Sequence, residues 1–498
     1  MKTFKRFRFK SFFILFLCFF SDVVFAQNWL LGDRRPNNSV IPIHLGEKAK
    51  QNILKRPKLI NLQEPKNLNS SEKIQSKEDQ RLPEWTMIVY VQANNNLAKY
   101  AIKNFEDMSM VGSSDKLKIV VQWYDANHRG IWRYRIDKGQ MVLQENKSVN
   151  IDGNKSLDLV EAVKWAVEKY PAQKYFLILW NHGVGILDPI WGNTHFSVDK
   201  ALLEQNPRIQ IADLTIKNFD FQSLLESFGE EQRGILFNEA SRTYMTNQEL
   251  KNSLNEIKNT VLKKKIDVIG MDACLMGMIE VGYQIKDYAD YFVASEEVEL
   301  ASGWSYSSIL RPLTSGGFSS YQLAKSIVEN YEKLYNGRIS FYTQSAIDLN
   351  KISDLKEALD LVVGSLNECR KYNLHTVKSI INKSRSACLH FSTSSYIDLY
   401  SFVSELIKNT DIETAKLKSD SNSLSSSLKK SLILLKASSQ VAIELMNELV
   451  IANSVGTAMK NAGGLSIYYP TGNIDASYQG TDFAKESLWL NFLKELRG

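Results

Sequence analysis

Tyr175-Phe-Leu-Ile-Leu-Trp180, running into Asn181-His182-Gly183, and Ile266-Asp-Val-Ile-Gly-Met271, running into Asp272-Ala273-Cys274, decide the fold of this 498-residue chain. Each is a short apolar run that ends in small or polar residues. Strands of a parallel sheet covered by helices on both faces read this way, and such sheets hold their sites at the strands' carboxyl ends. On neighbouring strands, His182 and Cys274 would meet there. A thiol needs an imidazole within hydrogen-bond reach to become a thiolate near neutral pH, so the two residues are the minimum equipment of a cysteine nucleophile. Taken alone, a Cys after an apolar strand is more often a small buried hydrophobe. Two neighbours favour a site: Gly183, whose N–H can approach a ligand closely, and Asp272, a carboxylate two residues before the thiol.

Outward from these runs the chain alternates. Met87 to Gln92 reads as a strand, Asn96 to Met110 as a helix, Leu117 to Tyr124 as a strand, and Ser156 to Lys169 as an amphipathic helix feeding the His182 strand. This is the pattern of a parallel α/β sheet with right-handed crossovers. Trp132 to Ile136 and Met141 to Leu143 flank Lys138-Gly139 as a hairpin. A long insertion at about 187–242 precedes Thr246, which can cap the next helix. Segments of that length inside a compact domain are usually functional or mobile. Beyond Trp304 come a helix at Ser319 to Tyr335 and a strand at Ser340 to Asp348. Residues 351–498 read as a smaller, mainly helical region packed on the sheet. In it Ser419 to Lys430 is an expected exposed loop leading into a helix through Ala437, Leu465 to Tyr469 a strand, and Lys485 to Leu496 a final helix.

Residues 1–26 carry Lys2, Lys5, Arg6, Arg8 and Lys10, then the apolar run Phe12 to Phe20 and Val24-Phe25-Ala26, which fits a small-x-small cleavage site. This reads as a signal peptide, its apolar part too short for the ~20 residues of a membrane span. Export, to the periplasm or the outside, is the expected localisation. Residues 27–82 are rich in Lys, Asn, Gln and Ser with scattered Pro, without helical or strand periodicity, and read as a flexible linker or a propeptide. The formal charge of +6 becomes +2 once residues 1–26 are removed, with 56 basic against 54 acidic residues. A nearly neutral chain with no basic stripe is not expected to read nucleic acid. Of four Cys residues three remain after such cleavage, Cys274, Cys369 and Cys388, so at least one thiol is unpaired within a monomer. Cys369 and Cys388 leave a disulfide open. Cys388 with His390 lacks a second ligand pair at metal-like spacing, and core packing is the expected role; no metal site is expected.

Trp180-Asn-His-Gly-Val-Gly185 and Gly270-Met-Asp-Ala-Cys-Leu-Met-Gly-Met278 resemble the His and Cys motifs of the clostripain family of cysteine peptidases. Trp85-Thr-Met-Ile-Val-Tyr90 with Asn94-Asn-Asn-Leu97 is similar to that family's first core strand and the turn after it. Asp287 to Glu297 with Gly303-Trp304, and Gly464 to Pro470, are similar to later segments. The resemblance spans roughly residues 84 to 498. It implies an α/β, caspase-like three-layer sandwich, a mostly parallel central sheet flanked by helices, with residues 83–350 as the catalytic domain.

It also implies roles. His182 would take the proton of Cys274 or hold it as an ion pair and later protonate the leaving amine, while the thiolate attacks the scissile carbonyl; no third catalytic residue is required. The N–H groups of Gly183 and Cys274 would hold the oxyanion. Asp272 would lie at the base of the pocket for the residue before the scissile bond, where the family prefers Arg or Lys, with Glu297 and Glu299 on its rim. As an alternative, Asp272 is a structural carboxylate in the turn. The family's Pro-Gly-rich loop before Gly-Trp is here Val298-Glu-Leu-Ala-Ser302, which leaves Arg against Lys open. Many members cut themselves between the His and the Cys, so Lys200, Arg208, Lys217 or Arg233 would be the processed bond, unless the insertion is an uncut lid. Calcium serves some members and not others; the chain has no Asp/Gly loop with helix-loop-helix calcium spacing, and no cofactor is required. The expected function is an exported endopeptidase acting on proteins or peptides with Arg or Lys before the scissile bond. A catalytically silent binding protein on the same fold and an acyl-transfer or ligase use of the same thioester are the alternatives.

Overall fold

The computed structural model describes residues 41–42 and 82–496, apart from 126–127, 148–154, 189–234, 239–240, 242 and 418–422. Residues 1–26 and the four candidate processing residues therefore lie outside the described residues.

The strands, in chain order, are β1 (Ile41–Pro42), β2 (Trp85–Ala93), β3 (Leu117–Asp125), β4 (His128–Asp137), β5 (Gln140–Lys147), β6 (Lys174–Trp180), β7 (Ile235–Asn238), β8 (Thr243–Met245), β9 (Ile266–Asp272), β10 (Ala289–Ala294), β11 (Thr343–Asp348), β12 (Tyr396–Asp398), β13 (Val450–Val455) and β14 (Ser466–Tyr468). Ten of them form one sheet in the order β1-β5-β4-β3-β2-β6-β9-β10-β11-β13. The central five, β3, β2, β6, β9 and β10, run parallel; the flanking pairs are antiparallel. All nine residues of β2 are buried, as expected of a strand covered on both faces. Helices Ala98–Ser109, Ser156–Lys169, Asn247–Glu256 and Ser320–Tyr335 supply the covering layers. Leu159, Val160, Val163 and Ala166 recur at helical spacing, and all four are buried. The protein is thus an α/β sandwich with a mostly parallel central sheet and a mainly helical C-terminal region.

The start of the helix after the insertion is set locally. The Thr246 hydroxyl accepts from the Glu249 N–H, and the Glu249 carboxylate accepts from the Thr246 N–H, a reciprocal capping box. Ser319 and Gln322 do the same for Ser320–Tyr335.

Several expectations change. β13, from the C-terminal region, pairs antiparallel with β11 and completes the sheet, so the helical region is laced into the core rather than only laid upon it. The Ser-rich stretch expected as a loop is already helical from Ser423, in a helix that runs to Leu449. Leu428, Ser431, Leu432 and Leu435 are buried in it, and that apolar face outweighs the low helix propensity of serine. The expected final helix is two, Asp482–Glu486 and Trp489–Glu495. The break falls where the Ser487 hydroxyl donates to the Phe483 carbonyl and the Leu488 N–H turns to the Asp360 carboxylate. Within 27–82, expected to lack strands, Ile41–Pro42 pairs with the otherwise open edge of β5. Cys274, Cys369 and Cys388 are all buried free thiols.

Candidate active site

In the parallel register of β6 and β9, Trp180 lies opposite Asp272, and the Asn181 N–H donates to the Asp272 carbonyl at 3.4 Å. His182 and Cys274 each sit two residues beyond that aligned pair, so strands ~4.8 Å apart deliver an imidazole and a thiol to one place. Both side chains line one narrow cleft with Leu97, Trp180, Asn181, Asp272, Ala273, Glu299, Leu300 and Ala301, and the open space within it is only about 20 Å³. The two loops touch: a Cβ on residue 183 would stand 2.5 Å from the Cys274 carbonyl oxygen, which only glycine avoids. After the thiol the chain turns through Leu275 in the left-handed region, φ 61°. Leu275 and Gly277 donate to the carbonyls of Glu297 and Ser295, fastening this turn to the end of β10. The N–H groups of Gly183 and Cys274 make no hydrogen bond among the described residues, which leaves both as available donors.

His182 is 4% exposed and Cys274 8%. The thiol lies 3.7 Å from the Glu299 carbonyl oxygen and donates to it. Burial pushes it up to about 12, with the Glu299, Glu297 and Asp272 carboxylates adding to the rise. Of the two expected routes, proton transfer to His182 and a standing ion pair, burial of the thiol weighs against the charged form. The His182 Nε2 is engaged elsewhere, 2.8 Å from the Asn96 Oδ1.

The acidic residues divide. Asp272 lines the cleft and accepts from the Tyr306 hydroxyl at 2.7 Å, so it is both structurally held and within the site. Glu299 is beside it, also lining the cleft, with the Trp304 indole N–H at 3.4 Å. Burial raises both carboxyls, and Glu299 is carried well above the usual carboxylate range by its burial and then by the Asp272 charge beside it. Glu299 thus lines the cleft beside Asp272. Glu297, expected on the rim, does not line the cleft: it is 2% exposed and its carboxylate accepts from the N–H groups of Val298 and Ser392, tying the loop before β12 to the site.

The chain matches the clostripain family over residues 89–196 and 223–496. It belongs to the clostripain family of cysteine peptidases. It is 24% identical over 447 residues to clostripain of Hathewaya histolytica, covering 78% of this chain and 75% of that one. Two solved structures share its fold. One is an inactive zymogen C11 protease from Parabacteroides distasonis, with TM-score 0.51, 16% identity, and coverage of 81% of this chain and 98% of that one. The other is a secreted C11 cysteine protease from Bacteroides thetaiotaomicron in complex with an irreversible peptide inhibitor, with TM-score 0.52, 18% identity, and coverage of 82% and 99%.

A clostripain-family peptidase acts on peptide bonds, and the cleft offers the parts for it. What sequence reading passes over is the shell around the His182 loop. Asn181 accepts from the Phe237 N–H at 2.9 Å and donates to the Phe237 carbonyl at 3.1 Å, binding β7 as a peptide group would. Asn95 adds a bond to the same carbonyl. Three consecutive asparagines, Asn94 to Asn96, were the one available signal, since such residues fold turns by bonding local backbone. Cys388 and His390 stand 3.9 Å apart, both directed at the Arg385 carbonyl. Among the described residues no group of three or more His, Cys, Asp or Glu side chains is placed to share a metal ion, and no helix is long and apolar enough to cross a membrane.

Proposed function

We propose that this clostripain-family member is an exported endopeptidase that cleaves after Arg or Lys through His182 and Cys274. The observation that carries this reading is the β6–β9 register, which brings imidazole and thiol into one cleft above two carboxyls. His182 takes the Sγ proton of Cys274, and the thiolate adds to the carbonyl carbon of the scissile bond. The N–H groups of Gly183 and Cys274 stabilise the oxyanion, donors whose loss costs ~10²–10³ in rate. His182 then gives the proton to the leaving amine, and water releases the acyl group from the thioester. Proton transfer and attack need only the thiol, the imidazole and the backbone donors, so we propose that no cofactor is required and that activity survives a calcium chelator.

A basic side chain enters once the Glu299 to Ala301 segment moves aside, and its charge displaces the proton shared by Asp272 and Glu299. Binding of basic substrates is then tighter at higher pH. Export through residues 1–26, a role of residues 27–82 in covering the site, and self-cleavage within the 187–242 insertion complete the reading. Peptide amides bearing Arg, Lys, Leu or Glu before a fluorogenic leaving group test it. Hydrolysis of the Arg or Lys amide at least ~10²-fold faster than the others, lost in Asp272→Asn with KM rising most, is expected. Equal rates across the four would exclude the pocket assignment. A fragment produced by the parent and absent from Cys274→Ala on electrophoresis would locate self-cleavage.

A further inference from the structure

Gln344 is fully buried in β11, and neither its amide oxygen nor its amide nitrogen has a hydrogen-bond partner among the described residues. Buried amides are nearly always paired, because an unpaired one keeps the whole cost of leaving water, so the resting fold alone gives no reason for a glutamine here. Its neighbour is Glu299, and the Gln344 amide stands close enough to favour ionisation of that carboxyl without being in hydrogen-bond geometry with it. Glu299 is itself half satisfied. The Trp304 indole N–H reaches its Oε1 at 3.4 Å, while its Oε2 has no partner among the described residues. A buried donor without an acceptor and a buried acceptor without a donor thus lie side by side at the cleft that holds the thiol.

We infer that Gln344 is a positioning residue for substrate specificity, whose amide N–H takes hold of the Glu299 carboxylate when that group ionises against a basic side chain entering the cleft. As the neutral acid, Glu299 gives its own O–H to the Asp272 carboxylate beside it. Loss of that proton to solvent turns the contact into oxygen against oxygen. The new carboxylate only accepts, and at 3% exposure it needs protein donors on both oxygens. Trp304 serves Oε1, and Gln344 holds the unengaged N–H for Oε2. The titratable groups facing Glu299 are Asp272 on β9, Cys274 after it, Tyr306 in the short helix Tyr306–Leu310, and Tyr331 and Tyr335 on the helix Ser320–Tyr335, with His182 lining the same cleft. The hydroxyls of Tyr306 and Tyr335 are already given to Asp272 and to the Gly303 carbonyl, which leaves Tyr331 as the rival donor.

This inference rests on the basic pocket proposed above, and the experiment separates the two. The constants kcat and KM on an arginyl amide are followed from pH 5 to 9 in the parent, Glu299→Gln, Gln344→Met, Tyr331→Phe and the double variant Glu299→Gln with Gln344→Met. A parent KM that falls as pH rises, and that is higher and flat in Glu299→Gln, supports the pocket. Without both, the pocket reading fails and this inference fails with it. Given both, Gln344→Met is expected to raise KM about 10-fold at pH 7 with kcat changed less than threefold. It also moves the fall in KM upward by about one pH unit, because a carboxylate that has lost a donor holds its proton more tightly. Its unfolding midpoint in denaturant stays at or above that of the parent, since no bond of the resting fold is removed. Tyr331→Phe leaves KM within about twofold, and adding Gln344→Met to Glu299→Gln changes KM by less than about twofold, because residue 299 can no longer ionise. A parent-like KM or an unshifted fall in Gln344→Met, additive effects in the double variant, or a shift in Tyr331→Phe instead, would overturn the assignment. Gln344→Leu, read the same way, decides the matter if Gln344→Met does not fold; failure of both to fold would mark Gln344 as structural and overturn it as well.

Discussion

Gly303 shows how tightly single residues are committed around the cleft. It has φ 63°, and a Cβ there would come within 2.7 Å of the Asp272 Oδ2. Gly303→Ala therefore meets a left-handed backbone cost of about 1–2 kcal/mol and displaces the carboxylate as well. Denaturant unfolding should show a lower midpoint with an unchanged slope, and KM for a basic substrate should rise; a parent-like midpoint and KM would contradict this. That His182, Cys274 and Asp272 come together was legible in the sequence because each ends or follows an apolar strand, and the register of those strands places the three in one cleft. The contacts of Glu297 and Asn96 could not be read from the sequence, for one reason. Both meet partners distant in sequence, Ser392 for the first and His182 for the second, and only the fold brings those together. The burial of the thiol was also hidden, because Glu299 to Ala301, which line the cleft with it, lie far from it in sequence.

Among elements, those with strong local signals were read well. The strands from Trp85 to Trp180, the hairpin around Lys138-Gly139 and the helix Ser156–Lys169 need only apolar periodicity and turn residues to declare themselves. The long helix Ser423–Leu449 did not, since its first turns are serine-rich and its burial comes from tertiary packing. The capped helix after the insertion offers a direct check. Thr246→Ala removes the hydroxyl that accepts from Glu249, and about 1 kcal/mol of stability is expected to go with it. Faster amide exchange confined to the first turn of Asn247–Glu256 is the accompanying sign. Exchange unchanged there would mean that the fixed neighbours, not the cap, hold this end.

For the whole molecule, the buried carboxyls set the response to pH. Glu280 is fully buried, accepts from the Tyr468 N–H and the Tyr478 hydroxyl, and is pushed up to about 7 by that burial. Glu296 is raised by burial and then by Asp398 beside it, and Asp398 is raised by its own burial. An acid whose folded value exceeds its unfolded one binds more protons in the folded state, so its contribution is whole below about 4.5 and is lost as pH rises through about 7. Melting temperature should fall from pH 5 to pH 8, and Glu280→Gln should flatten that slope; a parent whose melting temperature rises across the range would contradict the assignment. Glu280 and Glu296 join the sheet side of the molecule to C-terminal segments through Tyr468 and Gly464, and β13 likewise crosses the boundary expected near residue 350 to pair with β11.

The most direct test is mass spectrometry of a mixed peptide library incubated with the purified parent and with Cys274→Ala, with and without a calcium chelator. Cleavage after Arg or Lys by the parent alone, unchanged by the chelator, is the expected result. Cleavage persisting in Cys274→Ala, or none by the parent even after trimming of residues 1–82, would contradict a peptidase built on His182 and Cys274.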